Sequence, residues 1–142
     1  MNRFFSSSPI WQTAGLALIR LTVGSFMIYH GLELFDKRIM NGYLQWDLFK
    51  NSSSAEIMVY AGKTAELIGG VLFFVGLFTR VAALILIVTM SYIAFFVGHG
   101  KVWYEDQHPF LFVLLAFVFL FMGGGRISLD HLLFKKRAIN VR

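Results

Sequence analysis

Four apolar stretches of membrane length, separated by short polar breaks, decide most of what this chain can fold into. They run roughly over Ala14 to Phe35, Ile57 to Phe78, Val81 to Val97 and Pro109 to Gly125. A hydrocarbon core of ~30 Å needs about 20 mostly apolar residues per spanning helix, so each block is a candidate span. Together they take more than half of the 142 residues, and the remainder is too short for a separate soluble domain. Composition agrees, with 15% charged residues against about a quarter in ordinary soluble domains. The expected fold is all-α: a polytopic bundle of four transmembrane helices, residues 1–142 forming a single membrane domain.

Two of the blocks carry a charge on a stripe of small residues. Ala17, Gly24 and Gly31 recur every seven positions with Arg20 among them, and Gly62, Gly69 and Gly76 recur likewise with Glu66. Small residues at that period let helices approach closely in lipid. An ionisable side chain at membrane depth needs a partner or a wet cavity. The two spans are therefore expected to touch, with Arg20 and Glu66 as candidate partners. At ~1.5 Å rise per residue their depths differ by roughly 7 Å, within reach of an arginine.

Orientation follows from the lysines and arginines. Arg3, Arg80, Arg126, Lys135, Lys136, Arg137 and Arg142 fall on one side, and Lys37, Arg38, Lys50 and Lys101 on the other. That imbalance predicts both termini in the cytoplasm. The first block resembles a signal peptide in its flanks, but Arg20 interrupts it and no small-x-small cleavage site follows, so a retained span is expected. In the long loop from Asp36 to Ser54, Tyr43, Leu44, Trp46, Leu48 and Phe49 alternate with polar residues, as suits the head-group region. Ser53 and Glu56 fit a capping box for the second span, Thr79-Arg80 a tight turn, and Pro109 a first helical turn. Trp103 and Tyr104 fit an aromatic belt. Gly123-Gly124-Gly125 follows an apolar helix and not a strand, so it is expected to end that helix and not to cradle phosphate. Ser128 is placed to cap a short interfacial helix with Leu129, Leu132, Leu133 and Phe134 apolar and Lys135 to Arg137 basic.

The chain has no cysteine, which excludes disulfides, thiolate metal sites, iron–sulfur clusters and thiol–disulfide catalysis. Its net charge of +5 belongs to span ends and lipid head groups, not to nucleic acid. Candidate chemistry concentrates elsewhere. Lys63 precedes Glu66 by three residues, so it can share Glu66 with Arg20, pair with Glu33, or snorkel to the interface, the last being favoured. The outer end collects His30, Glu33, His99 and His108, near Tyr29, Tyr104, Glu105 and Asp106. Haem or metal ligation by His30, His99 and His108 is the weaker reading, because no pair has ligand spacing on one helix. A pocket for a quinone head is another, with His30 or Arg20 donating and Glu66 or Glu33 relaying protons. The bland alternative leaves Arg20 and Glu66 as an ion pair that only sets helix register.

Several strings resemble the DoxX family. Arg20-x-x-x-Gly24 with His30-Gly31 is similar to its first span. Ala65-Glu66-Leu67-Ile68-Gly69-Gly70 and Gly76-Leu77-Phe78-Thr79-Arg80-x-Ala82-Ala83 resemble its second and third, and Gly125-Arg126-Ile127-Ser128-Leu129-Asp130-x-Leu132-Leu133 resembles its C-terminal signature. The resemblance implies a four-helix protein of the bacterial inner membrane. It implies a membrane subunit or accessory factor of a quinone-linked respiratory or oxidative-stress redox system, working with a soluble redox partner. Family members often carry a lysine soon after the His-Gly pair, where this chain has Glu33 first and Lys37 only at the loop. The competing expectations are a non-catalytic scaffold or assembly protein, and a small transporter built as a homo-oligomer.

Overall fold

The computed structural model describes residues 10–139, with side chains described through Phe134. Arg3 and Arg142 lie outside the described residues, as do the side chains of Lys135, Lys136 and Arg137. Among the described residues every regular element is helical: α1 (Gln12–Gly31), α2 (Lys37–Leu44), α3 (Ala55–Val75), α4 (Thr79–Tyr92), α5 (Gln107–Met122) and α6 (Leu129–Ile139). A 3-10 turn, Leu32–Phe35, extends α1, and a π-helical turn, Ile93–Val97, extends α4. With these extensions α1 and α4, together with α3, are long and apolar enough to cross a membrane. The apolar helix α5 is shorter.

The helix ends follow local chemistry. Gly76, in the left-handed conformation at φ 69°, terminates α3, where a side chain would be strained. Thr79 and Arg80, expected in the turn, instead open α4, and the turn is Gly76 to Phe78. Gly123 ends α5 with positive φ. The expected Ser53–Glu56 capping box does not form. Helix α3 starts after Ser54 with no side-chain cap, and Ser52 Oγ instead accepts from the Ser54 amide.

Helix α1 lies against α3, α3 against α4, and α4 against α5. The α1–α3 contact is as close as the glycine stripe predicts, but its register differs. A Cβ at Gly24 would lie 2.7 Å from Phe74 Cα, one at Gly31 2.5 Å from Leu67 Cα, and one at Gly70 2.8 Å from the Ile28 amide nitrogen. Gly70 therefore serves this interface, Gly69 turns toward Ile85 and Leu86 of α4, and Gly62 meets nothing within 4 Å. Because the obstacles at Gly24 and Gly70 include backbone atoms, G24A and G70A are each expected to destabilise by about 1–3 kcal/mol. G62A gains helix propensity without a clash, so it is expected to be neutral or stabilising by up to ~1 kcal/mol. Thermal unfolding in detergent, followed by circular dichroism, distinguishes the two classes.

The core that these contacts enclose comprises Val23, Met27, Phe73, Ala82, Ala83, Leu86, Met90, Phe112, Val113, Ala116 and Phe119. Leu18, Phe26, Val88 and Phe121 are among many large apolar side chains left exposed. In a soluble protein such an exterior would be an aggregation hazard; around a bundle of membrane length it is the lipid-facing surface.

The loop after α1 departs most from expectation. Asp36 caps α2 by accepting from the Arg38 and Ile39 amides. That helix carries Met40 and Tyr43, three residues apart and so on one face, back onto the bundle. Met40 and Phe49 are buried in a second apolar cluster with Ala55 and Val59. Trp46 and Leu48 stay exposed, so only part of the aromatic run is available to head groups.

Candidate functional site

Arg20 and Glu66 are not partners. The pairs Gly24–Phe74 and Gly31–Leu67 fix the antiparallel register of α1 and α3, which sets Arg20 level with Phe78 and Glu66 level with Leu32. At ~1.5 Å per residue the two charges lie about 18 Å apart along the bundle. Each has found other company, at opposite ends.

Arg20 is buried beneath the α3–α4 turn. Its Nη1 donates to the Phe73 carbonyl at 3.1 Å and its Nη2 to the Ile127 carbonyl at 2.6 Å. Its Nε, like Thr79 Oγ1, is buried without a hydrogen-bond partner. Nearby, the Asp130 carboxylate accepts from the Phe78 and Thr79 amides at 2.6 and 2.8 Å, and the Asp130 amide donates to the Gly76 carbonyl. The free amides at the start of α4 are thus capped by the start of α6. Ser128 Oγ accepts from the His131 amide, which is the cap expected for α6. The C-terminal signature is therefore a clasp: it ties the start of α6 to the first span and to the turn between the second and third. Replacing Asp130 by alanine is expected to cost about 1–2 kcal/mol, as for other lost caps, and to free α6, seen as faster limited proteolysis beyond Gly125.

The other charges gather at the opposite end. Lys63 Nζ donates to Glu66 Oε2 at 3.0 Å and lies 2.8 Å from Glu33 Oε2. Its side chain is 12% exposed, so it does not snorkel: two carboxylates hold it inside. The Tyr43 hydroxyl donates to Glu33, and its ring lies 4.7 Å from Lys63 Nζ, a cation–π distance. Burial, then the hydrogen bond to Glu33, pushes the Tyr43 hydroxyl above its ordinary range, so it remains a neutral donor. His30 Nδ1 lies 3.4 Å from Glu33 Oε1. Glu66, Lys63, Glu33, Tyr43 and His30 therefore form one connected line, reaching from the bundle interior to the loop end.

That line borders a cavity of about 200 Å³, lined by residues from α1, α2, α3, α4 and α5 and from the loop after α2. Its polar wall is Glu66, Lys63, His30, His108 and Thr89. Its apolar wall includes Met27, Met90, Ile93 and Phe112, and Tyr43, Trp46 and Phe49 close the loop side. The π-helical turn supplies Ile93 and Val97; such turns are frequent at functional sites because they re-aim side chains. The volume lies below the ~300–1,000 Å³ usual for drug-sized ligands, so it matches one ring-sized head.

The sequence-derived residues thus divide. Glu66, Lys63 and His30 meet at the cavity, with Glu33 bracing Lys63 from behind, while Arg20 belongs to the clasp. The three histidines do not form a set. His30 and His108 face each other with ring centroids 6.2 Å apart, but His99 does not line the cavity, its amide being tied to Asp106 at 2.9 Å. Among the described residues no three His, Cys, Asp or Glu side chains converge as metal ligands. The apparent polar–apolar alternation of its loop hides Tyr43 as a site residue. The signal was present: Asp36 as a cap and Met40, Tyr43, Leu44 at helical spacing.

The DoxX family model matches residues 15–99. An uncharacterized protein of Haemophilus influenzae is 32% identical over 131 residues, covering 85% of this chain and 92% of its own. A Bacillus subtilis protein named "Putative oxidoreductase CatD" is 32% identical over 129 residues, covering 85% of this chain and 88% of its own. No solved structure matches significantly.

Proposed function

The chain belongs to the DoxX family of membrane proteins, and from that premise we propose that it is the membrane component of a quinone-linked redox system. In this reading it sits in the bacterial cytoplasmic membrane with both termini inside, and works with a separate redox partner protein. The observation that carries it is Glu66, buried at the wall of a ring-sized cavity and joined through Lys63 and Glu33 to the loop end. The oxidoreductase name of the Bacillus subtilis relative supports the class of chemistry.

The donor set suits a quinone head. Lys63, His30 and His108 offer hydrogen bonds to carbonyl oxygens, and the Met, Ile and Phe wall suits a flat apolar ring. A bound quinone supplies two-electron carrier chemistry, becoming a quinol with two electrons and two protons. The electrons come from the redox partner. Glu66, Lys63 and Glu33 hold and pass the protons, from water at the loop end where His30 and Glu33 are partly exposed. The low-dielectric surroundings strengthen each hydrogen bond in the line.

The test is extraction. Protein purified in mild detergent is expected to carry a quinone identifiable by mass spectrometry, and E66Q is expected to match the wild type in abundance while losing it. No extractable quinone, together with no binding of an added short-chain quinone, overturns the reading. Loss of E66Q abundance with no change in quinone content assigns Glu66 to structure alone.

A further inference from the structure

We infer that the seam between α1 and α5 is a lateral entrance from the bilayer to the cavity. It would admit a ring-headed amphiphile whose linear apolar tail lies along that seam. The inference rests on the quinone reading above and adds where the ligand enters and what its tail touches.

The observation is an asymmetry in how the helices meet. The α1–α3 contact is backbone-close at Gly24, Gly31 and Gly70, and Gly69 brings α3 against α4. Helices α4 and α5 pack closely against each other, and Ala82, Ala83 and Ala116 are fully buried. Helices α1 and α5 scarcely bring their backbones into contact at all. At the level of the cavity they are joined by rings: Phe26 to Phe112 at 6.1 Å between centroids and His30 to His108 at 6.2 Å, both edge-on. Side-chain rings can swing between rotamers without breaking a backbone hydrogen bond, whereas the glycine seams cannot part without separating whole helices.

The cavity makes this seam a door and not merely a gap. His30 on α1 and His108 and Phe112 on α5 line it, so three of the four rings that close the seam are also the cavity wall, with Phe26 outside them. A head that fills about 200 Å³ leaves no room for a substituent, which must leave by some route. The loop side is shut by Phe49, which is buried, and by Tyr43, tied to Glu33. The α1–α3 seam is shut by the glycine contacts. The α1–α5 seam offers such a route, closed by side-chain rings alone and with Phe26 half-exposed on a membrane-facing surface. A substituent emerging there meets apolar side chains and lipid, so it is a hydrocarbon tail.

The absence of cysteine makes the test clean. A single F26C, modified with a bulky maleimide and reconstituted in nanodiscs, is compared with V88C, modified identically on the exposed face of α4. T22C, one turn along the exposed face from Phe26, replaces F26C if that variant does not fold. Binding of a tail-less benzoquinone and of its decyl-substituted analogue is measured by equilibrium dialysis. The seam label is expected to weaken decyl-quinone binding at least about tenfold, a 1.4 kcal/mol difference, and to leave the tail-less compound within about twofold. The Val88 label is expected to change neither. If the seam label affects both compounds alike, or neither, the entrance is overturned and ordinary lipid covers the seam. If unlabelled protein binds neither compound, the quinone reading itself fails and the entrance falls with it.

Discussion

Replacing Lys63 by methionine is expected to destabilise the protein by on the order of 3–5 kcal/mol, the usual cost of removing one partner from a buried ionic group. Lys63 is the only cation within ion-pairing distance of both Glu33 and Glu66 among the described residues. Without it two carboxylates share an apolar region with no ammonium between them, and Glu66 loses its one described hydrogen bond. The effect should appear as low membrane abundance and a melting midpoint lowered by several degrees per kcal/mol lost. The double variant K63M/E66Q removes the unpaired interior carboxylate while leaving Glu33 its Tyr43 donor. It is expected to recover most of the loss. A double variant as unstable as the single one would mean that Lys63 acts through its packing and not through its charge.

Arg20→Leu carries the second large effect. It removes two charge-assisted hydrogen bonds and leaves the Phe73 and Ile127 carbonyls without their donor. At ~1–3 kcal/mol for a buried group left unpaired, and less for the part-buried Ile127 carbonyl, the expected loss is about 2–4 kcal/mol. Because one of those carbonyls precedes α6, the loss should come with faster proteolysis of the C-terminal segment, the signature shared with Asp130→Ala. Lysine at position 20 keeps a charge but not the planar fork that reaches two carbonyls at once, so R20K is expected to restore only part of the stability. The two clusters are about 18 Å apart by helical rise, so R20K should leave ligand binding at the cavity intact. If R20K abolished quinone binding at wild-type stability, Arg20 would belong to the site after all.

Much of this was visible in the residues alone. Block length and hydropathy made the helices and their membrane setting unavoidable, since an apolar run of that length has no other favourable environment. Gly24 and Gly31 announced a close helix contact, and Ser128 announced the cap of α6. Glu66 was recognisable as a costly residue at membrane depth that needed company, with Lys63 as its helix neighbour and His30 and Glu33 toward the outer end. The DoxX strings include Gly24, His30, Gly31, Glu66 and Ser128, but neither Lys63 nor Glu33.

Which residue meets which was not visible, because it depends on register and on chain return. Sliding α3 along α1 by a few turns would keep every hydropathy pattern and yet change the partners of Arg20 and part Glu33 from Lys63. The register is decided by where backbone can approach backbone: Gly24 at Phe74, Gly31 at Leu67 and Gly70 at Ile28. Once those contacts form, Glu33 reaches Lys63 beside Glu66, and Arg20 lies far along the bundle, facing the Ile127 carbonyl that arrives 107 residues later in the chain. The cavity likewise exists only because α2 folds Tyr43 back over the bundle and because rings, not glycines, join α1 to α5. Sequence alone determined the span lengths and the few charges that must be compensated inside them. Tertiary structure chose their partners, because close packing accepts one register and excludes its neighbours.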